Sequence, residues 1–338
     1  MSNLREVAQI AGVSKTTVSR VFSNPEVVNE ATKKKVLEAA RLLNWQPSQT
    51  ARSLALGRTG NLGLLIPDIS NPAFGPPVRE AQNHARQLGF SLFIAPGDGQ
   101  SDDDRAMVQA LASKVDGLVL VAPRMSDEQL NDLQRTAPIT LVNRISPGIP
   151  SAVVPTQDGM NELVDHLVKI GHTRIAFMAG PTYSESSRYR EYAFLEAIDR
   201  STVEGLNLGH FLPTFESGAQ ATDQILASRA TAVIGYNDIM AIGLMNELHR
   251  RGIRPGAELA IAGFDGSWLC TSVSPALTSV AIPFAEAIIA AVDQVTNLIL
   301  GESVSENRLL PSTLIVRDST PSFTQRPQAV GSNSRLAP

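Results

Sequence analysis

A single cysteine, Cys270, stands among 338 residues, so no disulfide can form within the chain and nothing in it asks for an oxidising compartment. Long apolar runs are missing as well. None approaches the ~20 residues that span a bilayer, and residues 1–6 carry an acid with no apolar stretch of the secretory kind behind them. A cytoplasmic, membrane-free protein is expected. Catalytic signatures are also lacking: there is no Gly-x-x-x-x-Gly-Lys loop, no Gly-x-Ser-x-Gly elbow and no His pair at metal-binding spacing. His84, His166, His172, His210 and His249 lie scattered and read as surface or packed residues. The expectation is therefore no enzyme, no cofactor and no metal. No repeat with a period of 20 to 50 residues is visible, so a solenoid is not expected.

What is present is unevenly distributed. The net charge of −4 argues against nucleic acid only until it is divided along the chain. Residues 1–58 hold nine Lys or Arg against four acids, a net of +5, and the remainder carries −9. A basic head on an acidic body attracts phosphate at one end. Hydrophobic residues make up 43% of the composition, enough for a large core in about two to three domains.

The first 45 residues read as three short helices. Leu4, Val7, Ala8 and Ala11 share one face of the first. Gly12 and Val13 turn the chain, and Ser14 caps a second helix from about Lys15 to Phe22. The third runs from near Asn29 to near Asn44, with Val36, Leu37, Ala40 and Leu43 as its apolar stripe. Pro47 breaks the pattern. Ser48 then offers a cap for a short piece over residues 49–56, stopped by Gly57 and too short to hold as a helix alone in water. From Asn61 onward apolar runs alternate with amphipathic segments. Strands are expected over 62–66, 91–95, 117–122, 139–142, 174–178, 232–236, 260–264 and 278–281. Helices are expected near 74–88, 102–114, 127–135, 158–170, 186–199, 217–228, 238–251 and 284–300. This is the pattern of two doubly wound parallel sheets, covered by helices on both faces. The chain from about Pro321 is rich in Pro, Ser, Gln and Asn and reads as a disordered tail over 324–338.

Two short helices joined by a tight turn with a glycine form a helix-turn-helix signature. An ordinary packed helical pair would show the same local pattern; the concentrated positive charge and the short segment behind it favour the DNA-binding reading. Lys15, Thr16, Thr17, Ser19 and Arg20 give the second helix a hydrogen-bonding face, while Val18 and Val21 turn to the core.

Residues 4–21, LREVAQIAGVSKTTVSRV, resemble the head of the lac repressor family. The resemblance continues to about residue 320 through ARSL at 51–54, PDISNP at 67–72, VDGL at 115–118, GHTRIA at 171–176, NDIMA at 237–241 and GFD at 263–265. It implies an all-α helix-turn-helix head over 1–45, a hinge over 46–59 and a two-lobed sensor over 60–323, similar to periplasmic sugar-binding proteins. One lobe takes about 60–154 and 284–311, the other about 156–281 and 313–323, with three crossings between them. The second helix is then expected in the major groove. Arg20 would pair with guanine O6 and N7, with Lys15 donating to the same acceptors and Thr16 facing base edges. Ser14, Thr17 and Ser19 would hold phosphate. In the hinge, Ser48 matches a phosphate-contact position where the family often has Asn. Leu54, with Ala51 facing the same way, matches a leucine that wedges open a minor-groove step. The partners implied are a near-palindromic operator in double-stranded DNA, a second copy of the chain and a small-molecule effector: a sugar, a sugar derivative or a nucleoside. Effector candidates by position are Phe74, Arg144, Arg188, Phe215, Asn237 and Asp265. Departures from the family pattern at Ala73, Pro155, Gly266 and Ile282 remove polar or aromatic groups from the expected cleft. The competing reading is a ligand-binding protein without a DNA role. The tail lacks a leucine heptad, so a homodimer is expected rather than a coiled-coil tetramer.

Overall fold

The computed structural model describes residues 3–23, 25–45, 58–97 and 101–321. The expected hinge contacts at Ser48, Ala51 and Leu54, and the expected disordered tail, lie outside the described residues.

In the head, helix Leu4–Ala11 opens on a capping box. The Asn3 side chain accepts the Arg5 and Glu6 N–H groups at 2.9 and 3.2 Å, and the Glu6 carboxylate accepts the Asn3 N–H at 3.4 Å. Gly12, at φ 67, ends it in the left-handed conformation that a residue without Cβ adopts at least cost. Helix Lys15–Ser23 follows after one short turn, and Asn29 caps helix Glu30–Leu42 by accepting the Thr32 N–H at 3.0 Å. Val7, Ala11, Val18, Val21, Val36 and Ala40 close the small core between them, and Phe22 meets Trp45 edge-on at 5.4 Å. The third helix corrects the expected stripe. Leu37 is exposed and Ala39 is buried in its place, because a close three-helix contact centres on small Ala39 and Ala40 beside Val36.

The body contains two six-stranded sheets. We number the strands β1 Asn61–Ile66, β2 Ser91–Pro96, β3 Gly117–Val121, β4 Ile139–Val142, β5 Ser151–Val153, β6 Arg174–Ala179, β7 Glu204–His210, β8 Ala232–Gly235, β9 Ala260–Asp265, β10 Thr278–Ala281, β11 Asn307–Leu309 and β12 Thr313–Ile315. The first sheet has the order β11-β5-β4-β3-β1-β2 and the second β12-β10-β9-β8-β6-β7. Pairing is parallel except between β10 and β12. The chain passes from one sheet to the other after Val153, after Ala281 and after Leu309. All eight expected strands are present to within a residue or so. Central strands such as β3 and β4 are buried along their whole length, as sheets covered on both faces require. Four strands were not expected. β5, β11 and β12 are three residues each, and β7 is a half-exposed edge interrupted by glycines. The single helix expected over 217–228 is two, Phe215–Gln220 and Thr222–Ser228.

Strand order reverses between β1 and β3 in the first sheet and between β6 and β8 in the second. At such a switch point the helices leave on opposite faces and a crevice opens beyond the carboxyl ends of the strands. The two crevices face each other and form the cleft between the lobes, walled by Pro67 and Asn71 after β1, Ala122 after β3, Pro181 after β6, Asn237 after β8 and Asp265 at the end of β9.

Candidate DNA-reading helix and effector cleft

On helix Lys15–Ser23 the side chains of Lys15, Thr16 and Arg20 are exposed, while Val18 and Val21 are buried. Residues 16 and 20 are one helical turn apart, so they share a face, as does Thr17 with Arg20. Ser14 caps the helix: its Oγ accepts the Thr17 N–H at 3.1 Å and lies 2.9 Å from the Thr17 hydroxyl. Thr17 and Ser19 are half-buried. A helix presenting two cations and a hydroxyl in the open has the donors and the charge to meet base edges and phosphates together.

The cleft holds a buried cation, Arg190. It is buried on helix Glu185–Asp199 and packed over the ring of Phe264 at 4.5 Å and of Tyr236 at 4.8 Å. It donates to Asp265 Oδ1 at 2.9 Å and to the Tyr236 carbonyl at 2.5 Å. Its buried Nε has no hydrogen-bond partner among the described residues. Asp265 is also reached from the other lobe, by Asn71 Nδ2 at 3.4 Å. Burial pushes the Asp265 carboxyl above its usual range even with the guanidinium beside it. Its backbone is strained at φ 113, and two more cleft residues, Ala122 and Asn143, have positive φ without being glycine. Strain of this kind costs about 1–3 kcal/mol at each residue and gathers where a site needs fixed geometry.

The structure brings three of the six sequence-derived effector candidates to this cleft: Phe74, Asn237 and Asp265. Phe74 is buried against Phe284 with ring centroids 4.9 Å apart, and Asn237 caps helix Asp238–Arg250 through the Met240 N–H at 3.1 Å. The other three do not line this part of it, although Arg144 lines an adjoining cavity. Arg188 is exposed and does not line the cleft; Arg190, two residues on and therefore about 200° round the helix, does. The signal was legible, because Arg190 lies in register with Ala193, Phe194 and Ala197, the buried stripe of that helix. Arg144 spans the lobes, donating to Asp127 at 2.6 Å and to Glu185 at 2.5 Å. Phe215 packs against the core of the second lobe. Gly266, where the family pattern has an acid, sits at φ 70, and a Cβ there would come within 2.6 Å of Ala281 Cα, so this backbone excludes the side chain.

Behind the cleft lies a second buried acid. Asp238 accepts the Ser279 hydroxyl at 2.5 Å and the Ser267 N–H at 2.6 Å. Burial, aided by the charge of Asp265, pushes its carboxyl up to about 6. Burial and the Asp238 carboxyl push the free Cys270 thiol up to about 12, which leaves it inert near neutral pH.

A helix-turn-helix head followed by two facing doubly wound lobes with a polar cleft defines the class of ligand-responsive DNA-binding regulators. Residues 3–48 match the bacterial regulatory proteins of the lacI family, and residues 164–320 match the periplasmic binding protein-like domain. The chain is 31% identical over 296 residues to the HTH-type transcriptional repressor PurR of Aliivibrio fischeri, covering 84% of this chain and 87% of that one. It is 28% identical to the HTH-type transcriptional repressor CytR of Escherichia coli K12, over 94% of this chain and 96% of CytR. Its fold superposes on the lac repressor dimer bound to operator and the anti-inducer ONPF with a TM-score of 0.83, at 29% identity, covering 94% and 99% of the two chains. The chain belongs to the lacI family of bacterial regulatory proteins. These relatives are regulators rather than enzymes, and no helix among the described residues is long and apolar enough to cross a membrane.

Proposed function

We propose that this chain is a cytoplasmic transcriptional repressor, without catalytic activity, that binds a near-palindromic operator as a homodimer and changes its operator affinity when a small molecule enters the interlobe cleft. In this reading residues 1–45 read the major groove, 46–59 form the hinge and 60–323 sense the effector. Arg20 and Lys15 specify bases, Thr16 adds a base-edge contact, and Ser14, Thr17 and Ser19 position the helix on phosphate. Ser48, Ala51 and Leu54 meet the minor groove. Arg190, Asp265, Asn237 and Asn71 hold the effector, with Phe74 stacked on it. The carrying observation is the buried Arg190–Asp265 pair at the switch point, whose guanidinium keeps a donor unpaired. A buried donor of this kind costs about 1–3 kcal/mol unless a ligand oxygen or nitrogen takes it.

The relatives support the reading. PurR and CytR are repressors, and the lac repressor dimer is bound to operator and to an anti-inducer. The test is a gel-shift titration on operator fragments selected from random DNA, followed by effector addition. Operator affinity at least about a thousandfold above that for random DNA is expected. Equal affinity for both would remove the regulator reading. Arg190→Ala is expected to bind operator and ignore effector; a variant that still responds would remove Arg190 from the site.

A further inference from the structure

The polar end of the cleft is small. Its volume of about 70 Å3 lies far below the ~300–1,000 Å3 of ordinary small-molecule sites. A second cavity of about 280 Å3 shares Asn143, Ser186 and Arg190 with it as common walls. Together they approach the usual size, so a ligand of ordinary dimensions that grips Arg190 extends past it.

The second cavity has a different chemistry. Val154, Pro155, Ile282 and Leu309 line it from the segments that cross between the lobes, and Tyr189 and Tyr192 line it from helix Glu185–Asp199. Tyr189 is 52% exposed, Tyr192 65% and Leu309 66%, so large apolar faces stand open to water around one hollow. Open apolar surface gathered around one hollow offers a seat for an apolar group. Several of its polar groups are already committed, although the buried Arg144 Nε has no partner among the described residues. The Tyr189 hydroxyl donates to Glu185 at 3.1 Å, and Arg144 is held between Asp127 and Glu185. Asn143 Oδ1 accepts the Val154 N–H at 2.9 Å, and Gln157 Nε2 donates to Asn161 at 3.1 Å. A hydroxyl-rich group placed there would lose its water and find few partners, whereas a flat apolar group would lose nothing. Two departures from the family pattern, Pro155 and Ile282, lie in this wall, and each removes hydrogen-bonding capacity from it.

We propose that the effector is amphipathic: a polar head on Arg190, Asn237 and Asp265, joined to an aryl or similar apolar appendage that passes Ser186 into the cavity bounded by Tyr189, Tyr192, Ile282 and Leu309. This rests on the cleft being the effector site. Calorimetric titration of the full-length protein with glucose, galactose, ribose and xylose, each beside its own phenyl glycoside, tests it. At least one phenyl glycoside binds about tenfold or more tightly than its parent sugar, the gain expected for burying one ring face. In Tyr192→Ala and Leu309→Gln, both at exposed positions that leave the fold intact, this advantage falls several-fold while the parent sugar binds as before. Equal binding of a parent and its phenyl glycoside, or an advantage that survives both substitutions, overturns the appendage and leaves the effector cleft standing. If neither member of any pair binds, the appendage and the sugar-type effector reading fall together.

Discussion

At the scale of single residues, two buried carboxylates govern the cleft, and their environments pull in different directions. Asp265 has a cation at 2.9 Å; Asp238 has only hydroxyl, thiol and amide neighbours and sits close enough to Asp265 to feel its charge. Truncating Arg190 would leave Asp265 as an uncompensated buried charge. Arg190→Ala should therefore destabilise the body by about 3–5 kcal/mol at pH 7, measured by urea unfolding. The double variant Arg190→Ala with Asp265→Asn should recover part of that loss; a loss unchanged by the second substitution would show that the charge is not its source. Asp238 carries a pH dependence. Its folded pKa is raised from 3.8 to about 6, so the native state binds more protons than the unfolded chain across that interval. Its contribution to stability is present below 3.8 and is lost as pH rises towards about 6. Asp238→Asn should remove this downward component, read as the difference between the urea unfolding curves of wild type and variant at a series of pH values. A difference that stays flat through the interval would refute the assignment.

At the scale of elements, close approach decides more than propensity. Helices Phe215–Gln220 and Asp238–Arg250 meet through reciprocal glycines: a Cβ on Gly218 would collide with the Met240 carbonyl, and one on Gly243 with the Phe215 carbonyl. Both obstacles are backbone, which no rotamer change relieves. Gly243→Ala should cost at least about 1–3 kcal/mol although alanine is the better helix former; thermal or urea unfolding gives the sign. In the head the caps dominate, because each helix is short and depends on its ends. Ser14→Ala removes the Oγ that accepts the Thr17 N–H and should cost the head about 1 kcal/mol, seen as a lower melting temperature of its amide signals. Arg20→Ala leaves that helix intact, since its side chain is exposed, and should flatten base preference within each half-site by about 1–3 kcal/mol in competition binding.

At the scale of the whole molecule, side-chain contacts among the described residues join the lobes across the cleft. Asn71 reaches Asp265 at 3.4 Å, Arg144 reaches Glu185 at 2.5 Å and Arg124 lies 4.6 Å over the Tyr183 ring. Each is small by itself, and a ligand that touches both lobes would add to them. Arg144→Ala is expected to weaken effector binding only a few-fold while enlarging the radius of gyration seen by solution scattering without ligand. An unchanged radius would place the closing force elsewhere.

The sequence alone pointed to the layers: eight short apolar runs alternating with amphipathic segments read as covered parallel strands, and all eight lie in the two sheets. It also determined the head, because capping residues, a glycine turn and a cluster of cations act locally. The chain by itself did not reveal β5, β7, β11 and β12, whose few or half-exposed residues carry no periodicity and pair only because a neighbouring edge is offered. Nor did it sort the cleft. Phe74, Asn237 and Asp265 line the polar cleft and Arg144 the adjoining cavity, Arg188 and Phe215 line neither, and Arg190 enters through its buried helical face. Which polar groups converge depends on two strand orders reversing opposite each other, which brings Asn71 to Asp265, 194 positions away along the chain. Proximity of that kind is created by the sheets as they pack, so it has no local trace in the order of residues.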